Sequence, residues 1–317
     1  MRKDTLKKDT QKETRRISSY HAGGMTREDY AFAGWKHNKY FTSDRYITLD
    51  EMFNRPDGKP LKGFGIEFEF ESFAITGENI VVEVFDKVIA SLFPDDMFKY
   101  QRDASLRHNA SAEAITQVMT KEFIRNHYPE FKFMFDTYFP ALGFSASETG
   151  NCGMHVNISV GNFGTSEATQ ELAVKKMFYI INKHFTFFCD ALKRDRRKTG
   201  YCGQMVYQGA KSMNLHRQAC SHGVCFNMGH YDAGRVEIRL AGGQAKFATF
   251  RNTMEVIFHL IDAVKRISWD DCDKLTAIFA GCNRHVIDRL KDCYNMGSLT
   301  EAEFETIKAS ATDERYI

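Results

Sequence analysis

The sequence predicts an α+β fold built around a mainly antiparallel sheet. Three segments, residues 63–73, 152–160 and 235–241, alternate polar and apolar residues strictly, as strands with one buried face do. Stretches of helical periodicity lie between them. No Walker loop and no G-x-G-x-x-G turn follows any of them, so nothing signals the βαβ units of a parallel nucleotide-binding sheet.

Taken in order, residues 1–20 are polar and basic without a hydrophobic period, and are expected to form a flexible solvated arm. Residues 21–62 mix charge with Tyr30, Phe32, Trp35, Tyr40, Phe41 and Tyr46, and reach a turn at Pro56-Asp57-Gly58. They are expected to be an irregular lead-in packed on the core. The strand over 63–73 is followed by helical spacing over 80–93, stopped by Pro94. A strand near 98–102 leads through Asp103-Ala104-Ser105-Leu106 to a short strand centred on Glu113. Residues 123–139 have helical spacing with a break or fresh start at Pro129. The longest expected helix covers 167–192, and a basic turn follows over 193–198. Strands are expected over 219–228 and 235–241, then a helix over 244–267. Thr300 and Glu303 form a capping box, with Leu299 and Phe304 as its hydrophobic staple, and start the last helix. The organisation expected is a core over 63–267 with a helical extension over 268–317.

Composition narrows the function classes. With 317 residues, 43% apolar and 26% charged, the chain has an ordinary globular composition. A formal charge of +2 does not call for a nucleic-acid or acidic-membrane partner, and only the N-terminal arm is basic enough to touch nucleic acid. No apolar run approaches the roughly 20 residues of a membrane helix, and no apolar stretch follows the basic N-terminus as in a secretory signal. The eight cysteines start at Cys152 and include no C-x-x-C pair, so reduced, buried thiols in a cytoplasmic protein are expected. His216, Cys220, His222 and Cys225 are close in sequence but match no common zinc spacing.

The chemistry sits on the alternating strands. In Gly65-Ile66-Glu67-Phe68-Glu69-Phe70-Glu71 the three glutamates share a face, with neighbours roughly 6.6 Å apart at about 3.3 Å per residue. Such a row is either a wet acidic face or a site for Mg²⁺ or Mn²⁺, which prefer oxygen ligands. His155, Asn157 and Ser159 share a face of the second strand. Arg235, Glu237 and Arg239 share one on the third, either as a cross-strand ladder or as a metal carboxylate between two phosphate-binding guanidinium groups. Glu113 stands alone among small residues, and residues 194–198 form a basic patch.

In this order the motifs resemble those of the glutamine-synthetase-like carboxylate–amine ligases, most closely their amidoligase branch. GIEFEFE is similar to the family's G-x-E-x-E strand, and Gly153-Met154-His155-Val156-Asn157-Ile158-Ser159 to its G-M-H-x-H-x-S strand. Arg235-Val236-Glu237-Ile238-Arg239 resembles R-x-E-x-R, Asp103 to Leu106 with Glu113 resembles D-x-S-L…E, and Arg196 to Cys202 resembles R-R-x-x-x-Y-C. The departures are Asn157 in place of the second histidine, and Glu71 as a third glutamate.

The resemblance implies a curved sheet with helices on its outer face. It implies an ATP- and Mg²⁺- or Mn²⁺-dependent ligase that activates a carboxylate as an acyl phosphate and joins it to an amine. Glu67, Glu69, Glu113, His155 and Glu237 are the implied metal ligands. Arg239 is the implied catalytic arginine, with Glu113 and Asp103 beside it, Asp103 accepting the amine proton. Arg235, Arg196, Arg197, Asn157 and Ser159 are the implied nucleotide contacts. Two alternatives stay open: a guanidino-kinase-like phosphotransferase, and a non-catalytic nucleotide-, metal-binding or structural module on the same sheet. The acid, the amine and the oligomeric state are not legible.

Overall fold

The computed structural model describes residues 39–41, 46–48, 62–72, 91–93, 97–101, 111–141, 143–145, 152–218 and 223–314. The expected arm over 1–20, most of the lead-in, most of the helix over 80–93, and Asp103 lie outside the described residues.

The strands are β1 (Lys39–Phe41), β2 (Tyr46–Thr48), β3 (Phe64–Ser72), β4 (Phe98–Gln101), β5 (Ser111–Thr116), β6 (Val118–Met119), β7 (Phe144–Ser145), β8 (Gly153–Ser159), β9 (Phe226–Asn227) and β10 (Arg235–Gly242). They form one open sheet in the order β2-β1-β6-β3-β8-β10-β9, with β4, β5 and β7 attached beside β3. Every pairing is antiparallel except β1 with β6. The central strand is β3, flanked by β5 and β6 on one side and by β8 and β7 on the other. Where β5 gives way to β6, Thr116 Oγ1 accepts the Ile66 N–H at 2.9 Å, so the interruption leaves that donor satisfied.

Among the described residues the α-helices of four residues or more are α1 (Lys121–Asn126), α2 (Tyr128–Phe133), α3 (Glu167–Lys183), α4 (Phe185–Ala191), α5 (Phe247–Arg266), α6 (Leu275–Ile278), α7 (Arg284–Asn295) and α8 (Glu301–Ser310). They cover one face of β3. Phe68 meets the rings of Phe131, Phe135 and Phe250, and Phe64 meets Phe258, with centroids 4.9–6.5 Å apart. Strand alternation therefore sends Ile66, Phe68 and Phe70 into the helical layer and Glu67, Glu69 and Glu71 to the opposite face. Apolar residues of α6–α8, among them Ile278, Leu290 and Ile307, join the same core as the sheet.

Most sequence expectations match these elements, and the differences have local causes. Pro129 stands in the first turn of α2, where its missing N–H is harmless. The helix expected over 167–192 is two helices broken at His184, where the Asn182 carbonyl accepts from Gln204 Nε2 at 2.7 Å. Of the strand expected over 219–228, residues 219–222 lie outside the described residues, and within 223–228 only β9 is a strand. Just before it, Gly203 N–H bonds Gly223 O at 2.9 Å and Cys225 N–H bonds Gly203 O at 3.0 Å, so this backbone pairs with a loop. The capping box is formed: Thr300 N–H donates to Glu303 Oε2 at 3.0 Å and Glu303 N–H to Thr300 Oγ1 at 3.3 Å. The seven described cysteines are buried and free, and no described helix is long and apolar enough to cross a membrane.

Candidate metal centre

Register brings the acidic residues together. Across β3 and β8, Glu67 stands opposite His155; across β3 and β5, Glu69 stands opposite Glu113. Across β8 and β10, Asn157 stands opposite Glu237, and Glu237 in turn opposite Asn227 of β9. One face of four adjacent strands thus carries Glu113, Glu67, Glu69, His155, Asn157 and Glu237, all buried.

Distances show how tightly they converge. Glu67, Glu113 and His155 each offer a ligand atom, and the three atoms lie within 4.8 Å of one another. His155 Nδ1 is 3.0 Å from Glu67 Oε2 and 3.8 Å from Glu237 Oε1, while its Nε2 is 3.7 Å from Glu69 Oε1. Asn157 bridges two charges: its Nδ2 donates to Glu67 Oε1 at 2.9 Å, and its Oδ1 accepts from Arg235 Nη1. Glu69 Oε2 accepts the Gly153 N–H at 2.5 Å. Glu237 accepts from Arg239 Nη1 at 2.6 Å on one oxygen and from Asn227 Nδ2 at 3.1 Å on the other.

The electrostatics separate the carboxylates. Burial, reinforced by the charge of Glu237, pushes Glu67 up to about 7. Burial would raise Glu237 too, but His155, Arg239 and Arg235 outweigh it and hold Glu237 below the ordinary carboxylate range. Glu237 therefore stays ionised, while Glu67, buried beside the charge of Glu237, is more readily protonated.

These residues fit a divalent cation. Four buried carboxylates, Glu67, Glu69, Glu113 and Glu237, share one face with the guanidinium groups of Arg235 and Arg239, and among the described residues this gathers several like charges in a low-dielectric site. Oxygen donors with a single imidazole are the donor set of Mg²⁺ or Mn²⁺. A hard cation would offset both the burial and the Glu237 repulsion that raise Glu67.

The remaining expected residues sort clearly. Ser159 is buried on β8 opposite Arg235, at the far end of the polar face. Glu71 is buried at the other end of the row. Arg196 is committed to buried Asp190 through Nε at 2.8 Å and through Nη2, and Arg197 to Asp195 through Nε at 3.1 Å and Nη2 at 3.0 Å. Neither is brought to the cluster by these bonds. Of the cysteine–histidine group, His216 is exposed and bonds Asp232, whereas Cys225 is buried and bonds Asn182 Oδ1 at 3.2 Å; Cys220 and His222 lie outside the described residues.

Two contributors had little sequence signal. Asn227 supports Glu237, and its position in a two-residue strand hides the alternation. Arg194 lies beside Gly153 and reaches β10, although the run it begins reads only as a basic patch. The fold and site define an open-sheet α+β protein with a buried carboxylate–histidine–arginine cluster. No protein-family model matches the chain, and no curated protein matches it in sequence.

Proposed function

We propose that this chain is an ATP- and divalent-cation-dependent ligase that joins a carboxylate to an amine. The supporting observation is the convergence of Glu67, Glu113 and His155 within 4.8 Å, beside a Glu237–Arg239 pair, on the face away from the helices. On this reading the sheet is the curved sheet of glutamine-synthetase-like ligases, with its helices outside.

Glu67, Glu113 and His155 would hold the cation, with Glu69 and Glu237 as neighbouring ligands. When bound, the cation screens phosphate charge and polarises the transferring phosphoryl group. The chain's own residues supply the rest. Arg239, held by Glu237, presents a planar fork to the γ-phosphate, where charge redistributes as the substrate carboxylate attacks. The new bond joins carboxylate oxygen to phosphorus as the bond to ADP breaks, giving an acyl phosphate. An amine then attacks the carbonyl, loses a proton and expels phosphate. Arg235, steadied by Asn157, places a second cationic group along the same face.

The test is an ADP-release screen over pooled acids with Mn²⁺ and hydroxylamine as the amine surrogate. The expected result is hydroxamate and inorganic phosphate only when ATP, acid and hydroxylamine are all present. Phosphate appearing on a guanidino nitrogen instead, with no hydroxamate from any acid, would reject the ligase in favour of a phosphotransferase.

A further inference from the structure

The basic run over residues 194–198 sends one guanidinium toward the site, and it belongs to Arg194. The end of α4 dictates where this side chain emerges. Lys193 adopts a left-handed φ of 58°, its N–H bonds Asp190 O at 3.1 Å, and the Arg194 N–H bonds Cys189 O at 2.7 Å. This reciprocal pair closes the helix and fixes the departing chain.

From there the side chain spans three consecutive carbonyls of β10. Nε donates to Leu240 O at 3.3 Å, and Nη2 to Ala241 O at 2.6 Å and Arg239 O at 3.4 Å. Two of those carbonyls, of Arg239 and Leu240, lie in a bulge, and the third follows it. Pairing with β8 breaks after Ile238↔Val156 and resumes at Ala241↔Met154, so β10 uses one more residue than its partner. A bulge disrupts the ladder and re-aims side chains, and a planar guanidinium with five donors can bond several neighbouring carbonyls at once. Two glycines make room. A Cβ on Gly153 would lie 2.8 Å from Arg194 Nη2, and one on Gly242 would overlap the Lys193 carbonyl oxygen.

We propose that Arg194 is a positioning residue that pins the β10 bulge so that Arg239 is aimed into the carboxylate cluster. Its kinetic consequence rests on the ligase reading above; its structural consequence does not. The experiment uses Arg194→Met and Arg194→Lys in the full chain, alone and combined with Arg239→Lys, after melting curves establish that each folds. Hydroxamate formation should fall about tenfold in Arg194→Met, in kcat rather than in KM for ATP, and by less than about twofold more once Arg239 is already lysine, because coupled residues are non-additive. Arg194→Lys should behave like Arg194→Met, since one ammonium cannot span three carbonyls. Additive losses, or rescue by lysine, would overturn the proposal. Amide exchange gives an arm independent of activity: exchange over residues 239–242 should accelerate about tenfold in Arg194→Met while β8 stays protected. If the unaltered chain makes no hydroxamate from any acid, the ligase reading fails and exchange alone decides; unchanged protection over 239–242 then overturns the strap.

Discussion

Burial alone would drive each carboxylate of the cluster toward its protonated form, and the surrounding charges decide which one resists. At Glu237 burial is outweighed by His155, Arg239 (2.6 Å away) and Arg235, which hold it low; at Glu67 burial and the charge of Glu237 prevail and raise it to about 7. The two residues therefore have opposite effects on the metal-free protein. Glu67 titrates higher folded than at its ordinary 4.5, so its ionisation progressively opposes folding as pH rises from about 4.5 to about 7. Glu67→Gln should be as stable as the native chain or more so at about pH 8 in EDTA, with the difference vanishing near pH 4. Glu237 titrates low, so its stabilisation is present above its ordinary pKa and lost as pH falls. Glu237→Gln should melt lower at about pH 8. Both variants should lose Mn²⁺ affinity in calorimetry. A Glu67→Gln chain that melts lower than native at the same pH would contradict the repulsive cluster. The faces of these residues were legible because strand alternation is local, which placed Glu67, Glu69, His155 and Glu237 correctly. Their partners were not, because register is set by pairing between segments far apart in sequence.

At the scale of elements, helix interiors were legible and helix boundaries less so. The spacing of Phe250, Met254, Ile257 and Ile261 marks the buried face of α5, but the helix starts at Phe247, three residues after the sequence suggests. Its N-cap Lys246 makes no side-chain cap bond. Asp136, in the π-turn Met134–Tyr138, accepts the Phe247 N–H at 3.0 Å instead. A cap borrowed from a residue more than a hundred positions away leaves no local motif, whereas the Thr300–Glu303 box is local and was read directly. Asp136→Ala should cost about 1 kcal/mol in denaturant unfolding and leave Mn²⁺ affinity unchanged. Unaltered stability would show that the start of α5 is held by packing alone. Arg194 was illegible for a related reason: its role depends on a helix terminus and a bulge that meet only in the folded chain.

Across the whole molecule, the open sheet separates two environments, an aromatic core under the helices and a charged face opposite. The helical layer has its own pH dependence. His259 of α5 donates Nε2–H to Ile278 O of α6 at 2.9 Å, and burial lowers it from 6.5 to about 4. Because the folded form resists protonation while the unfolded form does not, stability should fall as pH drops from about 6.5 to about 4. His259→Gln should flatten that limb of the melting curve; an unchanged acid limb would place its origin elsewhere. The charged face carries the central claim, that its carboxylates serve ATP through a divalent cation. The sequence contains no Walker or G-x-G-x-x-G motif to hold the nucleotide without one. The most direct measurement is a calorimetric titration of ATP into the protein with Mn²⁺ and again with EDTA. Saturable binding with Mn²⁺ that disappears in EDTA is the predicted result; equally tight binding in EDTA would contradict it.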